Sequence, residues 1–138
     1  MFRMTLQAGT TIDVQSRIHR YQYSTDGSVP NPLESTYAAL AGCAGVYAKK
    51  ACRELGIDDT GIAISLRVVA KTGQPLVPAR FVTKVTFPEH FDEEQRAAVL
   101  RSIEKCAVKA IIQAGPAIEF ATESAALGAV ARIAHERA

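Results

Sequence analysis

Apolar and polar positions along this chain recur with two different periods, and the changes of period mark its elements. Ile62, Ile64, Leu66, Val68 and Ala70 alternate with Ala63, Ser65, Arg67, Val69 and Lys71, a period of two that predicts a half-buried strand. A loop is expected around Gly73, Pro75 and Pro78. Beyond it Phe81, Thr83, Val85 and Phe87 share one face while Arg80, Lys84 and Thr86 point away, so the two runs predict a long antiparallel hairpin. Before residue 30 the signal is weaker. Phe2, Met4 and Leu6, then Ile12 and Val14, then Tyr21 with Tyr23 suit three short strands, with a turn at Ala8-Gly9.

The helical pattern starts at Asn31, which fits an N-cap, with Pro32 in the first helical position and Glu34 in the third. Asn31 and Glu34 could thus satisfy orphan N–H groups reciprocally. Gly56 is the expected left-handed stop, which gives about 24 residues and roughly 36 Å of helix. Ala38, Ala39, Ala41, Gly42, Ala44 and Gly45 strip its middle of bulk, as expected for a central helix that other elements approach closely. Asp92 and Gln95 open a second helix through Ala97, Leu100 and Ile103, with Cys106 continuing the stripe. Helical character runs to about Ala114, with a break near Cys106 left open, and Gly115-Pro116 ends it. Ile118, Phe120 and Thr122 predict a short strand, and the alanine-rich stretch Ala125 to Ala138 a terminal helix. Strands, long helix, strand pair, helix, strand, helix is an α+β order.

At 138 residues and 48% hydrophobic, without a linker or low-complexity tract, residues 1–138 are expected to form a single domain with a real core. The apolar stretch Tyr37 to Ala48 is too short to span a bilayer, and the amino terminus lacks the pattern of a signal peptide. A cytoplasmic protein is expected. The formal charge of +2, from 16 basic and 14 acidic residues, gives no electrostatic reason to expect nucleic acid or anionic lipid as a partner. Small molecules fit better. His19, His90 and His135 are isolated, so no metal or other cofactor is expected. Three cysteines without a secretion signal read as free or redox-active thiols.

The run Asn31-Pro32-Leu33-Glu34, followed by small apolar residues to Ala41-Gly42-Cys43, resembles the OsmC/Ohr family of thiol peroxidases. The likeness spans about Ile18 to Thr122, with Glu104-Lys105-Cys106-Ala107-Val108 as its second anchor. It is closer to the broader OsmC-like group than to the organic hydroperoxide resistance proteins, because Leu33 stands where those place an arginine-binding glutamate. The resemblance implies antiparallel strands packed around a long central helix, an intertwined homodimer, and reduction of organic hydroperoxides at the expense of a dithiol. It also implies that Cys43 is the attacking cysteine and Cys106 the resolving one. Spacing agrees: Cys43 and Cys52 lie on one helix, about 180° and about 13.5 Å apart, beyond the roughly 7 Å that a disulfide spans.

Cys43 is expected mid-helix, remote from the helix N-terminal field, so a cation from outside must lower its pKa. By resemblance this is an arginine of the amino-terminal strands, with Arg17, Arg20 and Arg3 as candidates. Glu34 is either its partner at the site or only a helix cap. Tyr37, Leu40 and Tyr47 are candidate liners of an apolar substrate pocket, or simply core. Two functions follow: a thiol-dependent peroxidase using Cys43 and Cys106, or an OsmC-like small-molecule-binding stress protein with little turnover.

Overall fold

The computed structural model describes residues 1–123 and 130–133. The first strands, β1 (Thr11–Gln15) and β2 (Arg20–Ser24), pair antiparallel in a hairpin. Phe2, Met4 and Leu6 do not make the expected third strand. Only Arg3 bridges to Gln15, because the three apolar residues find no surface to cover and stay 66%, 62% and 73% exposed.

α1 (Pro32–Leu55) has the expected bounds for local reasons. The Asn31 side chain accepts from the Glu34 N–H at 2.8 Å, Pro32 sits at the first position, and Gly56 takes the left-handed φ of 67° that a side chain would resist. The reciprocal half of the capping box is not made: no hydrogen bond joins the Glu34 carboxylate to Asn31 among the described residues.

β3 (Ala63–Lys71) and β4 (Gln74–Thr86) form the long antiparallel hairpin. Its loop is shorter than expected. Thr72 and Gly73 alone make the turn, and Pro75 and Pro78 lie inside β4, where the register shifts around Ala70. Such irregular pairing tolerates residues without an N–H.

α2 (Glu93–Ile103) starts with a complete capping box between Asp92 and Gln95. α3 (Ala107–Ala114) is a separate helix, so Cys106 is not on a continuing stripe: it is the N-cap of α3, with φ −54° and ψ 121°. The break arises because Glu104, Lys105 and Cys106 close tight turns back onto Leu100, Ser102 and Ile103. Last come β5 (Phe120–Glu123) and β6 (Val130–Ile133), paired antiparallel. Ile118 stays outside β5, 80% exposed. Within the stretch expected as a terminal helix, Val130–Ile133 is instead a strand. Pairing with β5 there outweighs the weak helical preference of β-branched Val130 and Ile133; the rest of that stretch lies outside the described residues.

The core sits at the carboxyl-terminal half of α1. Ala48, Ala51 and Cys52 pack against Phe91 and Val99, with Ile57, Ile62, Ile64, Phe87 and Ile103 around them. Alanines let α2 approach closely, and Ser102 Oγ donates to the Tyr47 carbonyl at 3.0 Å to fix the crossing. The middle of α1 is less central than its small residues suggested. A side chain at Gly42 or Gly45 would meet nothing within 4 Å.

Candidate functional site

α1 meets α3 one to two turns before its core begins, and this contact brings Cys43 and Cys106 together. Leu40 and Ala44 are buried there while Cys43 stays half-buried between them. Cys106 is 3% exposed. The Cys106 sulfur accepts from the Lys109 N–H at 3.3 Å and so caps α3. The Cys106 thiol and the Val108 and Ala107 N–H groups favour the anion of Cys43, and the Lys109 and Val108 N–H groups favour that of Cys106.

These partners set the two thiols apart. Burial pushes Cys43 up, but the Cys106 thiol and the two amides outweigh it and hold Cys43 below an ordinary thiol. Burial pushes Cys106 up too, and there the hydrogen bond and charge of Cys43 add to the rise. Each sulfur is favoured as an anion by two amides of the α3 opening, Ala107 and Val108 for Cys43 and Lys109 and Val108 for Cys106, so what sets the two apart is the interaction between the thiols, which lowers Cys43 and raises Cys106. Among the described residues Cys52 has no such partners. Burial raises it, and the neighbouring Asp59 raises it further.

Beside the pair lies a cavity of about 370 Å³. Leu40, Ala44, Phe81, Ile103 and Ile112 give it an apolar lining, Cys106 opens onto it, and Thr83, Glu104, Lys109 and Gln113 supply polar groups. Of the three residues expected to line a pocket, Leu40 does so. Tyr37 does not; its ring meets Phe81 edge-on at 5.6 Å. Tyr47 does not either, since it sits where α1 packs on α2.

Within one chain the expected arginines are elsewhere. Arg20 opens β2, Arg17 lies in the turn before it, and Arg3 bridges to Gln15; among the described residues no cation acts on Cys43. Lys49 is paired with Asp59 at 2.8 Å. Glu34 is exposed at the start of α1, about two and a half turns before Cys43. The residues that spacing did not find are Ala107 and Val108. Their signal was available in the run Cys106-Ala107-Val108-Lys109, a helix opening with no carboxylate to take its amides. Among the described residues no cluster of His, Cys, Asp and Glu could hold a metal, and no helix is long and apolar enough to cross a membrane.

Comparison with solved structures shows the fold. One relative, from structural genomics, superposes with a TM-score of 0.62 at 18% identity, over 83% of this chain and 89% of its own. A candidate osmotic-stress-induced and detoxification response protein of Psychrobacter arcticus gives 0.61 at 16% identity, over 78% and 83%. OhrB of Bacillus subtilis, an organic hydroperoxide resistance protein, covers 80% of this chain and 90% of its own at 18% identity, with a TM-score of 0.44. No curated protein matches. The OsmC-like protein family matches residues 25–121, the segment that contains both helix openings and both paired cysteines. On that match, the chain belongs to the OsmC-like family.

Proposed function

We propose that the chain is a thiol-dependent peroxidase that reduces organic hydroperoxides through Cys43 and Cys106, in the cytoplasm and as a homodimer. The observation that supports this reading best is the contact between two thiols of opposite shift, the lowered one half-exposed and the raised one buried. A thiolate is the nucleophile that peroxide reduction needs, and a neighbouring thiol is what stops its over-oxidation.

Cys43 attacks the terminal peroxide oxygen. The O–O bond breaks, the sulfur becomes a sulfenic acid, and the alcohol leaves as an alkoxide that takes a proton from solvent. Cys106 sulfur then attacks the sulfenic sulfur; the S–S bond forms, the S–O bond breaks, and water departs with the thiol proton. A dithiol substrate becomes the disulfide and returns both cysteines. The apolar cavity beside Cys106 suits a bulky organic group.

A homodimer fits the surface of the chain. Its 14.8 kDa expose 11278 Å², against about 7,000 Å² for a compact monomer of that mass. Phe2, Met4, Leu6 and Ile18 on the amino-terminal hairpin side are exposed, as are Ala38, Ala39 and Gly42 on α1. A second copy would cover such faces and could carry Arg17 or Arg20 toward Glu34 and Cys43, which one chain alone does not do. Light scattering of dilute protein tests it: a stable monomer of about 15 kDa overturns the dimer.

The test of the chemistry is intact mass and peptide mapping after one equivalent of cumene hydroperoxide. The expected product has lost two hydrogens and joins Cys43 to Cys106; Cys52 in the disulfide overturns the assignment. The absence of a cation on Cys43 among the described residues favours one competing reading, a ligand-binding protein with little turnover. Slow alkylation of Cys43 at pH 6 would decide for it.

A further inference from the structure

We propose that the cavity between α1, β4 and α3 is where the reductant works: a small dithiol on an apolar chain enters it and attacks the Cys106 sulfur of the Cys43–Cys106 disulfide, so that Cys43 is the sulfur set free first. For its place in turnover this rests on the peroxidase reading. It gives the exchange a direction and the reductant a route.

The cavity distinguishes the two sulfurs. Cys106 lines it and Cys43 does not, although the two cysteines are brought together by the contact of α1 with α3. Cys106 is 3% exposed, so the cavity is its way to an outside thiol, whereas Cys43 is half-buried with its open surface outside that cavity. The Lys109 N–H holds the Cys106 sulfur at the wall, at 3.3 Å. In thiol–disulfide exchange the thiolate approaches along the S–S axis, and access decides which sulfur it meets. From the cavity that sulfur is Cys106. Leu40, Ala44, Phe81, Ile103 and Ile112 favour an apolar chain, and about 370 Å³ stands at the small end of the roughly 300–1,000 Å³ of ligand pockets, which fits a small molecule and not a folded protein. Chemistry agrees with access. The thiol of lower pKa leaves faster, and Cys43 is the lowered one of the pair while Cys106 is raised.

In the first step a thiolate of the dithiol bonds to the Cys106 sulfur, the bond between Cys106 and Cys43 breaks, and Cys43 departs as a thiolate. The second thiol, losing its proton to solvent, then attacks the dithiol's own first sulfur. The bond to Cys106 breaks, the dithiol leaves as a cyclic disulfide, and Cys106 takes up a proton; the dithiol has been oxidised by two electrons and the two cysteines reduced. Peroxide reacts only with the reduced protein, so its organic group occupies the same volume in a separate turn.

A monothiol of the same apolar character stops the exchange after its first step. The protein disulfide is made with diamide, treated with hexanethiol, quenched early with N-ethylmaleimide and mapped by peptide mass spectrometry. The expected product carries hexanethiol on Cys106 and the maleimide on Cys43. Hexanethiol on Cys43, equal amounts on both cysteines, or a protein in which diamide forms no Cys43–Cys106 disulfide overturns the proposal. Ile112→Trp, which fills the cavity, should slow this first step roughly tenfold or more by displacing the chain. Ile111→Trp, next to it but 60% exposed and outside the lining, should keep the wild-type rate. Equal rates in the two variants overturn the cavity as the route, and should Ile112→Trp not fold, the adduct map of the unmodified sequence still decides. No step of this test uses peroxide, so the expected map from a protein that fails to consume peroxide would count against the peroxidase reading alone.

Discussion

Cys43 and Cys52 are the same residue on the same helix, nine positions apart, and the structure gives them opposite properties. Cys52 is 1% exposed among Ala48, Phe91 and Val99, where among the described residues no hydrogen-bond donor meets the sulfur and burial favours the neutral thiol. Cys43 lies where α1 has left the core and met α3, and three donors favour its anion over the opposing effect of burial. Both sites desolvate sulfur. What separates them is whether the neighbour is a packed side chain or the opening of a helix, and that is decided by which part of the fold each half of α1 touches.

The largest expected effect breaks the pair of sites apart outright. Cys43→Ser should lower peroxide consumption at least a thousandfold, because no other nucleophile stands in its place, while Cys52→Ala should keep the wild-type rate in a coupled assay. If both variants consume peroxide at the wild-type rate, the chemical contrast between the two ends is lost. Cys106→Ser should keep the fold, since serine is a good N-cap for α3. It should allow one attack and then over-oxidise at Cys43 with further peroxide, seen as added oxygen mass.

Reactivity comes next. At pH 7 iodoacetamide should modify Cys43 at least a hundred times faster than Cys52: a lowered pKa gives Cys43 more thiolate, whereas Cys52 must await local opening. Comparable rates would mean that α1 and α2 do not pack as described.

How far this contrast was legible in the sequence depends on the range of the interactions involved. The ends of α1 were, because Asn31, Pro32 and Gly56 act on their own turns. The hairpin was, because the alternation of exposed and half-buried residues holds from Ala63 to Val68 in β3. The position of Cys106 was not. Leu100, Ile103 and Cys106 have helical spacing, and only the turns that close onto Leu100, Ser102 and Ile103 end α2 before the cysteine. Reading Cys43 as remote from any helix N-terminus followed from considering α1 alone. Val130–Ile133 was missed for a related reason, since composition reports local preference and not the pairing partner that β5 offers. The small residues at Gly42 and Gly45 suggested close packing that one chain does not supply.

Stability should separate the two thiols by sign. Cys52 has a folded pKa raised above its unfolded value, so its contribution is complete below about pH 8.5 and is lost as pH rises through the folded value. Cys43 has a lowered folded pKa, so its contribution is present above about pH 8.5 and is lost as pH falls through the folded value. Urea unfolding at pH 7 and pH 10 should thus show a smaller alkaline loss in Cys52→Ala than in the wild type, and a larger one in Cys43→Ser. The Cys52→Ala change should itself cost about 1–2 kcal/mol at pH 7 by leaving space in the core. A Cys52 variant with the wild-type alkaline slope would show that this thiol does not titrate against the core.

The smallest effect tests the open end of α1. Asn31 accepts the Glu34 N–H at 2.8 Å, so Asn31→Ala should cost about 1 kcal/mol in urea unfolding. Glu34→Gln should cost less than about 0.5 kcal/mol, because the carboxylate is exposed, makes no reciprocal bond to Asn31 and offers only the modest attraction of an acidic group for a helix N-terminus. The same substitution sharpens the site question. If Glu34 acts only on its own helix, Cys43 alkylation at pH 6 stays at the wild-type rate. If it positions Arg17 or Arg20 of a second copy beside Cys43, the rate falls in Glu34→Gln and falls equally in the matching Arg17→Met or Arg20→Met variant, without an additive loss in the double variant. An unchanged rate in all of them would leave α3, and no arginine, as what distinguishes Cys43 from Cys52.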